Sequence, residues 1–190
     1  SVGTFKSGHF LNSAKDYIKK KVNVDIGIDL ADEPAKLIEA SDIAGLFRRE
    51  QSDANKGDFG YVALIGGSRD YSGAAKLANL SLSALRTGAG VSKLAVPRSI
   101  ASAVLPYLLE STLFPLDDFD GQYSFSHATA DRLLRGTRAA AVGMGMGRSV
   151  EVRRLLQYML CEYCGRLVID ADGLNELSEL SLATYKNSSC

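Results

Sequence analysis

From Tyr61 onward the chain alternates between short apolar runs of strand length and segments of helical period, and few folds accept that pattern. YVALIGG, SKLAVP, LFPL, AAAVGMG and RLVIDAD predict strands. Between them, residues 73–87, residues 99–109, HATADRLLRG and SVEVRRLLQYMLCEY predict helices, and GLNELSEL opens one more. Gly88 ends the first helix and Pro97 closes the second strand. Runs that are apolar throughout need cover on both faces. The expectation is therefore an α/β layered fold around a central, mostly parallel sheet.

The leading part reads differently. Residues 1–21 are polar, with a basic cluster and no clear amphipathic period, and VNVDIGIDL (22–30) alternates like a strand. ADEPAKLIEASDIAGLFRRE reads as a turn followed by a short helix, and the polar stretch QSDANKGDFG (51–60) as a boundary before the main domain. At 190 residues the chain holds about one domain's worth of material.

In an open parallel sheet, ligands bind at the carboxyl ends of the strands. Three chemically informative stretches fall there: GGSRDYSG after the first strand, GMGMGRS after AAAV, and DADGLN after RLVI. The first has the setting of a phosphate loop without its usual label. Five residues separate Gly67 from Gly73, and Ala74 stands where a P-loop would place lysine. Gly66-Gly67-Ser68 also breaks the dinucleotide fingerprint. A glycine loop running into a helix N-terminus still suits an anion, and the small Ala74 and Ala75 leave room beside it. The alternative is a plain tight turn with alanines packed on the sheet. GMGMG offers a side-chain-free floor, or simply a strand turning into a helix. Asp170 ends a strand and could face a metal, a ribose or a neighbouring loop, whereas Asp172 is placed to cap the next helix.

Other features exclude functions. Twenty-two basic residues balance twenty-two acidic ones, so no net field favours nucleic acid or an anionic membrane. No apolar run is long enough to span a bilayer, and the N-terminus lacks a signal-peptide core. The chain begins at Ser1 without methionine, which suggests processing or a cut from something longer. Cys161, Cys164 and Cys190 are too few for a disulfide framework, and CEYC lacks the further ligands of a zinc site. A reducing, cytoplasmic location is expected. His9 and His127 read as surface residues, and Lys19 to Lys21 as a solvated face.

In order and spacing, KGDFGYVALIGGSRDYSGAAKLANLSLSALRTGAG, VGMGMG and VIDADGLN resemble the ADP/ATP-dependent NAD(P)H-hydrate dehydratase family. That family's typical pattern runs HKGDFG, GSxxYTGA, RTGAG, GPGLG and DADALN. The likeness covers residues 55–177. TFKSGHFLNSAKDYIKKKVNVDIGI, within residues 1–28, is similar to the end of the NAD(P)H-hydrate epimerase domain fused ahead of the dehydratase in many such proteins. The resemblance divides the chain into an epimerase-like tail and linker, 1–30, and the N-terminal part of a dehydratase domain, 31–190.

The resemblance implies a ribokinase-like fold, incomplete at its C-terminus, in a lyase that repairs hydrated NADH or NADPH. A nucleotide phosphate activates the ring hydroxyl, which is then eliminated. The implied cofactors are ADP or ATP with Mg2+, and K+ as a further family expectation, with NADH or NADPH as product. The implied partners are hydrated NAD(P)H and the nucleotide, with neither nucleic acid nor membrane, and a homo-oligomer is compatible with the family. Carried over by motif, Ala74 and Gly145 meet the dinucleotide, and Tyr71, Gly73, Gly143 and Gly147 shape its surface. Asp170 and Asn175 fall on the nucleotide or metal side, with no metal ligand assigned.

Three positions depart from the pattern: Asn55 for histidine, Met144 for the proline of GPGLG, and Gly173 for alanine in DADALN. The family's HPGE and GSGD motifs do not appear after Leu180. The catalytic Asp is thus expected beyond residue 190, and residues 1–190 alone are expected to be inactive. Two rivals stand beside this reading: a small-molecule kinase of the same fold, and a non-catalytic nucleotide-binding remnant.

Overall fold

The structure is a computed structural model, and it describes residues 1–2, 5–27, 37–45, 59–83 and 88–180. It divides into two compact units, Ser1–Arg49 and Glu50–Cys190. In the first, the described residues form 3-10 turns at Ser7–His9 and Ser13–Tyr17, helix α1 (Ala40–Ile43), and one isolated parallel bridge between Val2 and Val24. The strand expected over 22–30 is corrected here. Among the described residues 22–27 only that bridge forms, and residues 28–30 lie outside them. Val22, Val24 and Ile26 are each more than half exposed, so the alternating pattern finds neither a ladder nor a core to stabilise it. Of the turn and short helix expected over 31–50, the described residues 37–45 hold only α1, and the rest lies outside the described residues.

The second unit follows the predicted alternation. In order it contains β1 (Tyr61–Gly66), α2 (Ser72–Ser83), β2 (Val91–Pro97), α3 (Ala101–Val104), β3 (Thr112–Leu116), β4 (Asp118–Phe119), β5 (Gln122–Tyr123), α4 (His127–Leu134), β6 (Thr137–Met144), α5 (Val150–Glu162), β7 (Arg166–Ile169) and α6 (Asp172–Ser178). Five strands form one sheet in the order β3-β2-β1-β6-β7, and every pairing is parallel. Serines start two of the helices. The Ser149 hydroxyl accepts from the Val152 N–H at 3.2 Å, and Ser126 serves α4 in the same way. The helix expected over 99–109 is three short pieces, with 3-10 turns on either side of α3. Pro106, which has no N–H to give a continuing helix, lies in the last of them.

Strand period sorts the apolar side chains into two cores. Ala63 and Ile65 of β1, Ala95 of β2, and Ala140 and Val142 of β6 face one way, against Leu133 of α4 and Leu156 and Met159 of α5. Leu64, Leu94 and Val96 face the other way, against Ala75 of α2, Ile100 and Val104. Leu156 and Met159 are almost wholly buried, and truncating either to alanine costs about 2–5 kcal/mol. The result is three layers with β1 at the centre.

The strand order carries the functional consequence. From β1 the chain moves outward through β2 to β3, then returns to lay β6 against the other side of β1. The connections therefore diverge between β1 and β6. Such a switch point opens a crevice at the carboxyl ends of its two strands, because the following segments leave in opposite directions.

The cysteine expectation needs one correction. Cys164 is disulfide-bonded. Counting cysteines excluded a framework of several bridges, and that count does not exclude a single link.

Candidate functional site

The loops after β1 and β6 meet at the switch point. The Gly67 N–H donates to the Met144 carbonyl at 2.7 Å, joining the two strand ends. Beyond that bond the second loop turns at Gly145, in the left-handed region at φ 67°. A side chain there would have its Cβ 2.8 Å from the Cβ atoms of both Ala74 and Tyr71. The backbone of one glycine loop thus lies directly on the first turn of the helix that follows the other, a close approach that only glycine permits. Ala74 is half-buried, while Tyr71 and Gly73 are exposed on the same turn.

The third expected loop joins the same edge. The Asp170 N–H donates to the Val142 carbonyl at 3.0 Å, and the Asp170 carbonyl accepts from Gly173 at 2.9 Å. Gly143, at φ 119°, is pressed against that turn, and a Cβ on it would stand 2.0 Å from the Asp170 carbonyl oxygen. Gly173, where the family pattern has alanine, touches Gly143 in return: a Cβ there would be 3.2 Å from the Gly143 Cα. The Asp170 and Asn175 residues are both exposed. Asp172 does not do what its position suggested. It is the first residue of α6 and makes no cap; its Oδ2 accepts the Gly147 N–H at 2.8 Å, and its Oδ1 accepts from the Asn175 amide at 3.3 Å. The helix-cap reading gives way because the neighbouring glycine loop offers an unpaired N–H within reach.

α6 holds the loop a second time. Glu176, 1% exposed, pairs with Arg153 at 2.8 Å and with Arg148 at 3.5 Å, and Arg148 follows Gly147 directly. Arg148 also meets Glu179 at 3.1 Å. A carboxylate removed from water is retained only with such partners, so the Gly145–Arg148 segment is fixed at both ends.

One element of the site was not anticipated. β4 and β5 form an antiparallel hairpin, and it sits on the β1 loop. The buried Tyr123 hydroxyl donates to the Gly66 carbonyl at 2.6 Å. Burial, helped by the negative charge of Asp118, pushes the Tyr123 hydroxyl well above its ordinary value, so it stays protonated and able to donate. At the hairpin's base the Asp118 carboxylate accepts from the Ser99 hydroxyl at 2.7 Å, the Ser99 N–H at 3.1 Å and the Gly121 N–H at 2.9 Å. Burial pushes that carboxyl up, but these hydrogen bonds, with one from the Arg98 backbone, outweigh it and hold the group below its usual range. At the tip, Arg69 and Asp120 form an ion pair. The signal was present in the sequence: Asp120-Gly121 between Phe119 and Gln122 is a two-residue hairpin turn, with φ of 47° and 79°.

A cleft of about 640 Å3 opens at Thr137, Arg138, Tyr163 and Arg166, at the opposite, N-terminal ends of β6 and β7. Parallel-sheet geometry favours the glycine-lined edge over that cleft as the site. Among the described residues no three His, Cys, Asp or Glu side chains gather to hold a metal ion.

A family model described as NAD(P)H-hydrate dehydratase matches residues 62–190. The chain belongs to the NAD(P)H-hydrate dehydratase family. A bifunctional NAD(P)H-hydrate repair enzyme of Dictyoglomus turgidum is 33% identical over 186 residues, covering 92% of this chain and 35% of that protein. An ATP-dependent (S)-NAD(P)H-hydrate dehydratase of Ixodes scapularis is 34% identical over 125 residues, 65% of this chain and 37% of that protein. The chain spans about a third of the length of the curated relatives it matches. Among solved structures, a ribokinase-like superfamily protein of Enterococcus faecalis superposes with a TM-score of 0.57 at 21% identity, covering 69% of this chain and 43% of that one. An ADP/ATP-dependent NAD(P)H-hydrate dehydratase of Bacillus subtilis, co-crystallised with ATP and Mg2+, gives 0.53 at 24% identity, over 70% of this chain and 45% of that one. At these identities the structures speak for the fold, which is the ribokinase-like layered fold expected from the family's motifs.

Proposed function

We propose that this chain forms the dinucleotide-binding part of a nucleotide-dependent NAD(P)H-hydrate dehydratase. The observation that carries the reading is the contact of Gly145 with Ala74 and Tyr71, which makes one continuous floor from two loops of a family member. Hydrated NADH or NADPH lies along that floor, with Gly73, Gly143 and Gly147 shaping it. ADP or ATP supplies the phosphate that activates the ring hydroxyl. The hydroxyl then leaves as phosphate, a proton is lost from the adjoining ring carbon, and the reduced ring is restored. Asp170 and Asn175 lie at the edge nearer the nucleotide. Mg2+ enters with the nucleotide phosphates in this scheme, and K+ is a further candidate on the nucleotide side.

Residues 1–30 are the tail and linker of an epimerase-like domain in the same proposal, and residues 31–190 begin the dehydratase domain. A cytoplasmic location follows from the substrate, a coenzyme of central metabolism, and among the described residues no helix is long and apolar enough to cross a membrane. The test is a fluorescence titration of the chain with NADPH, beside a phosphoryl-transfer screen of ATP against small alcohols. Saturable NADPH binding that is lost in Gly145→Val supports the reading. Transfer of phosphate to a small alcohol without any binding of NADPH would replace it with the kinase.

A further inference from the structure

Two arginines flank the crevice, one on each glycine loop, and they are held very differently. Arg148, at the end of the second loop, is tied to Glu176, which is 1% exposed and shared with Arg153. Releasing Arg148 would strip a buried carboxylate of one of its two partners, so Arg148 is committed to the scaffold. Arg69 is the one cation of the GGSRDYSGA loop. Its partner is Asp120 at the hairpin tip, and the two side chains are 65% and 71% exposed. An ion pair so open to water contributes little to stability, so exchanging Asp120 for another anion costs the fold almost nothing.

The hairpin is built to hold that pair at the crevice. Tyr123 fastens its second strand to the Gly66 carbonyl, and Asp118 fastens its base to Ser99. Gly121, at φ 79°, lies so close that a Cβ on it would be 2.6 Å from the Cβ of Arg69. Its neighbour Gln122 reaches the other loop, with its Oε1 3.7 Å from where a Cβ of Gly147 would be. The anchored parts fix the position of the hairpin, while the Arg69–Asp120 pair at its tip stays exchangeable.

We propose that Arg69 is the residue that grips the pyrophosphate of the bound dinucleotide, and that Asp120 is the anion it leaves to do so. This rests on the reading of the glycine loops as a dinucleotide floor. A guanidinium forks onto phosphate oxygens through two parallel N–H donors, whereas Asp120 offers it one monoanionic group. Asp120 therefore acts as a competitor with tunable strength, and it favours ligands that carry more negative charge than a single carboxylate. Adenosine or a nicotinamide riboside without phosphate would leave the pair closed.

The proposal makes opposite predictions for the two halves of one ion pair. The full 190-residue chain is titrated with NADPH, the dehydrated product, and separately with inorganic pyrophosphate. Arg69→Ala should weaken both probes by about tenfold, the worth of one charge-assisted contact. Asp120→Asn should tighten both by roughly threefold, because asparagine keeps the left-handed turn but no longer competes. The double variant should match Arg69→Ala. A purely structural ion pair would move both single variants the same way, and that result overturns the proposal, as does equal binding of NADPH by all four proteins. If wild type binds pyrophosphate but not NADPH, with the opposite responses intact, Arg69 stands as a phosphate site and the dinucleotide reading falls. If neither probe binds the wild-type chain, the proposal fails. Should Arg69→Ala not fold, Asp120→Asn alone decides: unchanged or weaker binding refutes it.

Discussion

Replacing Gly145 with alanine tests whether the two loops really share one floor. At φ 67° an alanine would occupy the left-handed region, at a cost of about 1–2 kcal/mol. Its Cβ would also stand 2.8 Å from two other Cβ atoms, on Ala74 and Tyr71, and 3.0 Å from the Tyr71 carbonyl oxygen. Carbon atoms settle at about 3.5–4.0 Å, so the first turn of α2 must retreat by roughly 0.7 Å or more. Overpacking of that kind costs about 1–3 kcal/mol. Together the terms come to about 3 kcal/mol, which for a chain of this size lowers the thermal midpoint by roughly 6–12 °C. Dinucleotide affinity should fall with it, because the floor parts where the ligand lies. The assay is a thermal melt of the variant and the parent, followed by NADPH titration well below both midpoints. Gly143→Ala is the comparison: its Cβ would meet the Asp170 carbonyl at 2.0 Å, and backbone cannot yield as a side chain does, so little folded protein should accumulate. A Gly145→Ala protein with the parent's midpoint and the parent's affinity refutes the shared floor.

Further outcomes follow from the elements around that floor. Tyr123→Phe removes the donor to the buried Gly66 carbonyl and should cost about 1–3 kcal/mol in urea unfolding; an unchanged midpoint would mean that water serves the carbonyl equally well. Asp172→Ala frees the Gly147 N–H and should weaken NADPH binding several-fold with little change in thermal midpoint, whereas Asp172→Asn, which keeps an acceptor, should restore most of the affinity. Asp118 has a folded-state pKa below its unfolded one, so its stabilisation is present above the ordinary carboxylate value and is lost as pH falls through the lowered one. Urea midpoints compared at neutral pH and at about pH 3 should therefore show a larger acid loss in the parent than in Asp118→Asn. Equal losses would show that the Ser99 hydrogen bonds do not favour the charged form.

The sequence was legible where local pattern and tertiary demand agree. Apolar runs such as YVALIGG and AAAVGMG became central strands because both of their faces are covered, and the loops that end them met at one edge. The pattern failed where it lacked a partner. VNVDIGIDL alternates as well as any strand, yet its valines stay more than half exposed, and among the described residues only the Val2–Val24 bridge forms. Asp172 shows a different limit. Its spacing marks a helix cap, and only the three-dimensional nearness of Gly147 reveals a better donor for it. Glu176 likewise reads as one more polar residue of GLNELSEL, and its burial between two arginines depends on α5 and α6 being adjacent. The hairpin was missed for lack of length rather than of signal, since two-residue strands carry no period while Asp120-Gly121 names the turn.

The placement of β1 between β2 and β6 also sets an order of assembly. Tyr61 pairs with Val91 on one side and with Thr137 on the other. Closing the shorter loop sacrifices less chain entropy, so a polypeptide emerging from the ribosome can zip β1 to β2 well before β6 has been made. During that interval the far edge of β1 offers the N–H and C=O groups of every second residue to any passing strand, which is a template for aggregation. The crevice does not exist until β6 docks there and ends that exposure. Nascent chains whose β6 has not yet emerged should consequently be the ones that chaperones hold.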